Sequence, residues 1–212
     1  MIFRIENVTP EGIPTNIPKD TVWNSNLEID SNDTYVLTGT SGRGKSTFLH
    51  ILSGIRKNFT GNLYLDGNNT KIFTTKKWAE IRQDCLAIVF QDLRLIPHLT
   101  ARQNLTLKSA LKPGLSTEQI DSYASHLDVM ECLNKKCLKL SYGQQQRIAI
   151  IRALIQPFQF LLVDEPFSHL DPDNITRSLE LIKDVAGRNE SGILLTTLND
   201  DYGFTANHNL QV

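Results

Sequence analysis

An α/β fold with a mostly parallel sheet, an N-terminal β portion expected to be antiparallel and an inserted α-helical subdomain is the class this sequence predicts. Three observations carry the prediction. Leu86–Phe90, Phe160–Val163 and Ile193–Thr196 are short continuous apolar runs, the pattern of strands buried on both faces. Segments of helical spacing separate these runs, as a parallel sheet with crossover helices requires. The stretch from about residue 93 to residue 140 is different, being helical in pattern.

In order along the chain, Ile2–Asn7 reads as a strand, followed by a loop carrying Pro10, Gly12, Pro14 and Pro18, and then a strand over Val22–Ile29. Tyr35–Thr38 is a short β-prone run ending at Gly39, and Lys45–Ile55 has helical spacing. Leu63 and Leu65 flank Tyr64 in alternation before an Asp66-Gly67 turn. Ser116-x-x-Gln119 fits a capping box opening a helix with Ile120, Tyr123, Ala124 and Leu127 on one face. A helix follows Gly143, with Ile148, Ile151, Arg152 and Ile155 in register, and Ile175–Val185 forms another. One short strand closes the chain before Val212. The expected organisation is one domain over 1–212, with 1–92 and 141–212 as the α/β core and 93–140 as the helical part.

With 212 residues, 40% hydrophobic and 21% charged, the chain can bury a substantial core. Lys plus Arg number 22 against 23 Asp plus Glu, a net charge of −1, which argues against nucleic acid as a partner because phosphate-backbone binding needs surplus positive charge. No segment approaches the ~20 apolar residues of a membrane span, and the N-terminus lacks the pattern of a secretory leader. Cys85, Cys132 and Cys137 form no C-x-x-C pair and read as structural thiols of a reducing compartment, so the expected location is cytoplasmic.

Gly39-Thr40-Ser41-Gly42-Arg43-Gly44-Lys45-Ser46 matches G-x-x-x-x-G-K-[ST] between a predicted strand and a predicted helix, defining a P-loop NTPase core. Glycines let the backbone turn sharply and point successive N–H groups at phosphate oxygens. The opening helix adds its positive dipole end. Lys45 is expected to reach the β- and γ-phosphates of ATP, Ser46 to ligate Mg²⁺, and Thr47 to help hold the α- or β-phosphate. Further along, Phe160-Leu-Leu-Val-Asp164-Glu165 is an apolar strand ending in two carboxylates. Asp164 is expected to hold the metal and Glu165 to orient or deprotonate the attacking water.

Between these two motifs lies Leu140-Ser141-Tyr142-Gly143-Gln144-Gln-Gln-Arg147. It resembles the signature motif of the ATP-binding-cassette (ABC) ATPases. Gln91 after the strand Leu86–Phe90 looks like that family's Q-loop, and Ser168-His-Leu-Asp171 looks like its D-loop. The resemblance covers nearly the whole chain, and its Gln91 region is similar to the small exporter-type cassettes for lipoprotein release, macrolide efflux and cell-division signalling. It implies that two cassettes face each other head to tail around two ATP molecules. One subunit would supply Lys45, Ser46, Gln91, Asp164 and Glu165, and the other Ser141, Gly143 and Gln144. By the same resemblance Gln91 joins Lys45 and Glu165 in catalysis and Ser46 and Asp164 at the metal. The partners implied are a second ATPase subunit and an integral membrane permease, which would hold the chain at the inner face of the membrane.

Three departures from the family pattern bear on activity. Tyr142 stands where the first signature glycine should be. The switch histidine expected after Ile193–Thr196 is replaced by Leu198 or, in the other register, Thr197, and neither carries an imidazole. His169 and His208 lie outside the motif context for that role. Val8-Thr-Pro-Glu-Gly12 offers no aromatic ring for adenine; Phe3 and Trp23 are conceivable substitutes that read better as packing residues. The combination predicts ATP binding with slow, Glu165-dependent hydrolysis.

Overall fold

A computed structural model describes residues 1–12, 21–109, 115–198 and 202–212. Pro14, Pro18, Asn199 and Asp200 lie outside the described residues. Two sheets organise the chain. The first is antiparallel, in the order β2-β1-β4-β5, from strands Ile2–Pro10 (β1), Asn26–Asp30 (β2), Phe59–Leu65 (β4) and Asn68–Asn69 (β5). The second is parallel, in the order β6-β7-β8-β3-β9, from Thr34–Thr38 (β3), Leu86–Val89 (β6), Phe160–Asp164 (β7), Gly192–Thr197 (β8) and His208–Gln211 (β9).

The strand alternation divides the core in two. Phe160, Leu162, Leu194, Tyr35 and Leu37 pack on one face of the parallel sheet with Phe3, Ile5, Leu63 and the helix Lys45–Leu52 (α1). Their chain neighbours Leu161, Val163, Ile193, Leu195 and Val36 point to the other face. There they meet the helices Ala101–Ser109 (α3), Thr117–His126 (α4), Tyr142–Leu154 (α5) and Pro172–Arg188 (α6). Period-two side-chain geometry makes one strand serve both layers, which is why these runs are apolar at every position.

Several boundaries differ from the sequence-based expectation. The second strand starts at Asn26 rather than Val22, because the chain turns through Asn24 (φ 54°) and buries Trp23 edge-on against Phe48, ring centroids 5.5 Å apart. Helix α1 stops at Leu52 rather than Ile55. Gly54 (φ 66°) ends it, and a Cβ there would lie 2.0 Å from the Trp78 ring, so only glycine fits. Trp78 belongs to a helix that periodicity did not reveal, Thr75–Asp84 (α2), capped by Thr74. Only Trp78 and Ile81 of α2 are buried, too few to print a helical stripe on the sequence. The capping box at Ser116 and Gln119 is present, with Gln119 N–H donating to Ser116 Oγ at 3.3 Å and Ser116 N–H to Gln119 Oε1 at 2.9 Å.

Candidate active site

Strand β3 ends at Thr38, and the chain from Gly39 to Gly44 loops over its carboxyl end before α1 begins at Lys45. Gly42 (φ 81°) and Gly44 (φ 105°) take left-handed conformations closed to most side chains. Gly44 is the N-cap of α1 and offers no side chain, so the first-turn N–H groups remain open to an anion at the positive end of the helix. A Cβ on Gly39 would meet Val212 Cγ2 at 2.4 Å. The Arg43 carbonyl accepts from the Trp23 indole at 3.3 Å and the Arg43 N–H donates to Thr40 O at 3.3 Å, fixing the loop. Ser41 is exposed, and the Thr47 hydroxyl accepts from Arg56 at 3.5 Å.

Lys45 is buried under this loop, its ammonium group donating to Gly39 O at 2.6 Å and Thr40 O at 3.2 Å. It also pairs with Glu165 Oε1 at 3.0 Å, the two side chains being 3% and 13% exposed. Glu165 sits just beyond β7 in a left-handed conformation (φ 43°), a strained backbone that aims its carboxylate across the strand ends. The other carboxylate oxygen accepts from Gln91 Nε2 at 3.5 Å, and Gln91 Oε1 accepts from the Ser46 hydroxyl at 3.2 Å. Asp164 lies below. Burial pushes its carboxyl above the usual range, opposed by hydrogen bonds from Ser46 and Thr196. Ser46, Gln91 and Asp164, with His50 and Asp92, line a cavity of about 420 Å³. A hydroxyl, an amide oxygen and a carboxylate form the hard-oxygen donor set that suits Mg²⁺.

Lys45, Ser46, Gln91, Asp164 and Glu165 thus meet at one place, although they come from three separate stretches of sequence. Ser141, Gly143 and Gln144 do not join them in the same chain. They form the first turn of α5, where a second capping box operates: Gln144 N–H donates to Ser141 Oγ at 3.2 Å and Ser141 N–H to Gln144 Oε1 at 3.0 Å. Ser141 Oγ accepts in that cap and keeps its own proton for donation. A Cβ on Gly143 would come within 3.1 Å of His169 O, so the helix start packs tightly on the segment after Glu165.

Sequence reasoning missed Thr196. Fully buried, its hydroxyl donates to Asp164 Oδ1 at 2.8 Å and accepts from Glu165 N–H at 3.0 Å, locking both carboxylate residues to β8. A threonine inside an apolar parallel strand was the available signal. At the switch position Thr197 is buried, whereas Leu198 is 43% exposed. His208 is remote, stacked on Tyr35 at 4.8 Å and bonded to Asp33 at 3.0 Å. Phe3 and Trp23 are both buried, which removes them as platforms for a base.

A glycine loop leading into a helix at the end of β3, faced by two carboxylates at the end of β7 one strand further across the sheet, defines a P-loop nucleotide-binding protein. Residues 22–168 match the ABC transporter family model, and the chain belongs to that family. It is 33% identical over 180 residues to the lipoprotein-releasing system ATP-binding protein LolD of Leptospira interrogans, covering 83% of this chain and 75% of that one. It is also 32% identical over 173 residues to the macrolide export ATP-binding/permease protein MacB of Nitrosomonas europaea, covering 80% of this chain but only 26% of that much longer protein. Among solved structures, the dimeric bacterial ABC transporter cassette MJ0796 superposes with a TM-score of 0.83 at 28% identity, covering 99% of this chain and 94% of that one. Its post-hydrolysis state bound to ADP and Pi superposes at 0.77, with 30% identity and coverage of 93% and 88%.

Proposed function

We propose that this chain is the ATP-hydrolysing subunit of an ABC transporter, closing as a dimer around two Mg²⁺-ATP and driving a separate membrane permease that holds it at the inner face of the membrane. The observation that carries this reading is the convergence of Lys45, Ser46, Gln91, Asp164 and Glu165 at one loop, while the capped turn Ser141–Gln144 is turned outward. The chain acts as one unit, with 1–92 and 141–212 as nucleotide-binding core and 93–140 as the helical part that couples to the permease. Near-neutral net charge supports a protein partner over nucleic acid.

Within the pocket, Lys45 and the open N–H groups of Gly39–Thr47 neutralise phosphate charge, and Ser46, Gln91 and Asp164 hold the metal. Mg²⁺ when bound supplies charge neutralisation at the β- and γ-phosphates. Glu165 accepts the proton of the attacking water, its orientation fixed by its left-handed backbone and by Thr196. From a second subunit, the Ser141 hydroxyl, the Gly143 N–H and the amino end of α5 face the terminal phosphate. Leu198 cannot hydrogen-bond phosphate, so turnover is slow. That departure also supports a second reading, in which ATP-driven closure is the signal and turnover is incidental.

Steady-state ATPase measurements on the purified chain with Mg²⁺ test the first reading. Slow turnover is expected, falling by about 10²–10⁴ in Glu165→Gln, the usual cost of losing a general base. Brisk hydrolysis that Glu165→Gln leaves untouched refutes it. Co-purification with a multi-span membrane protein separates a transport subunit from a free-standing module.

A further inference from the structure

Tyr142 occupies a position where the family pattern has glycine, and the structure gives that side chain two specific contacts. Its hydroxyl donates to the backbone carbonyl of Gln91 at 3.0 Å, across 51 residues of sequence. Its ring lies against that of His169, centroids 4.3 Å apart and tilted by 56°. His169 in turn bonds Ser168 Oγ through Nδ1 at 2.9 Å. The phenol therefore spans three segments: the loop carrying Gln91, the first turn of α5 carrying Ser141, and the stretch following Glu165. A glycine makes neither contact.

The two ends of this bridge belong to different half-sites. Gln91 reaches into the chain's own pocket, accepting from Ser46 at 3.2 Å and donating to Glu165 at 3.5 Å. Ser141, adjacent to Tyr142, is exposed and caps the first turn of α5. The loop beyond Gln91 is itself under tension, with Leu93 (φ 56°) and Arg94 (φ 50°) both left-handed. Arg152, from the far end of α5, holds their carbonyls at 2.6 Å each. Tyr142 and Arg152 thus fasten this loop to the two ends of α5, so the loop and the helix form one mechanical unit.

We propose that Tyr142 is a positioning residue that relays occupancy of a chain's own pocket, sensed by Gln91, to the Ser141–Gln144 turn offered to the partner's pocket. The inference rests on the ATP-sandwich reading above. With glycine at 142 the loop would be tied to α5 only at its far end, through Arg152; here it is tied at the Ser141–Gln144 turn as well.

Amide hydrogen exchange tests this on the full chain, at a dilution where light scattering reports monomer, with and without Mg²⁺ and a non-hydrolysable ATP analogue. Without nucleotide, Tyr142→Phe, which keeps the ring and loses one hydrogen bond, exchanges about three- to tenfold faster at 91–95 and 141–146, the factor one net hydrogen bond supports, and unchanged in the antiparallel sheet. With nucleotide, protection in the wild type extends from 39–47 and 91–95 to 141–146. In Tyr142→Phe and in Tyr142→Gly it stops at 91–95. Protection reaching 141–146 equally in the variants, or failing to reach it in the wild type, overturns the relay. Absence of protection at 39–47 in the wild type overturns the nucleotide reading itself and the relay with it.

Discussion

Replacing Lys108 by Met is expected to stabilise this protein at neutral pH, and the size of the gain can be worked from where the side chain sits. Lys108 lies on α3 in a groove of about 600 Å³ that it shares with Arg82, Arg94 and Arg152. Its ammonium group donates to Ala153 O at 3.3 Å. Burial, reinforced by the nearby Arg152 charge, lowers its pKa from 10.5 to about 8. At about 1.4 kcal/mol per pH unit this displacement corresponds to roughly 3 kcal/mol. Water at the mouth of the groove reduces it to about 1–2 kcal/mol. The folded pKa is depressed, so between pH 8 and 10.5 the unfolded chain binds more protons than the native one. Wild-type stability therefore rises through that window, and the cost of holding the charge is fully present below pH 8. Thermal unfolding of wild type and Lys108→Met from pH 6.5 to 10.5 should show the variant melting about 2–8 °C higher at pH 7, at about 2–4 °C per kcal/mol for a chain of this size. The gap should close toward pH 10.5. A gap of equal size at both ends of the range refutes the charge-burial argument and leaves packing as the cause.

Asp164→Asn removes a carboxylate whose pKa burial raises, so the wild type carries a stability cost that appears as pH climbs past the usual carboxylate range and persists at neutral pH. The variant should melt higher than wild type at pH 7 without nucleotide, the difference shrinking toward pH 3, while calorimetry should show Mg²⁺-dependent ATP binding weakened. Asn104 is fully buried, accepting from Ile96 N–H at 2.7 Å and donating to Ile96 O and Thr100 O at 3.1 Å each. Asn104→Leu should cost about 1–3 kcal/mol in urea unfolding, because Ile96 N–H loses its acceptor while the Ile96 and Thr100 carbonyls each keep one other donor.

Legibility from sequence divided along physical lines. The phosphate loop, the Asp164–Glu165 pair and the strands β6, β7 and β8 were readable because glycine conformation, terminal carboxylates and full burial each restrict residue choice at neighbouring positions. Helix α2 was not, since only Trp78 and Ile81 of its residues are buried to mark it. Thr196 and Tyr142 were opaque for a different reason. Their contacts join residues 31 and 51 positions apart, and no local pattern encodes which carboxylate or carbonyl a lone hydroxyl will meet.

The pairing of Lys45 with Glu165 gives ATP entry the character of an exchange rather than an addition. Under the function proposed above, the phosphate would take over an ammonium group already satisfied by a carboxylate and two carbonyls, and would free the carboxylate proposed to act on the attacking water. Ground-state affinity is thereby surrendered to arm the site, and a simple anion that displaces Glu165 without completing the rest of the pocket becomes a competitor of the nucleotide. The same contact would hold the proposed base in its ion pair until a phosphate arrives, tying activation of water to arrival of substrate.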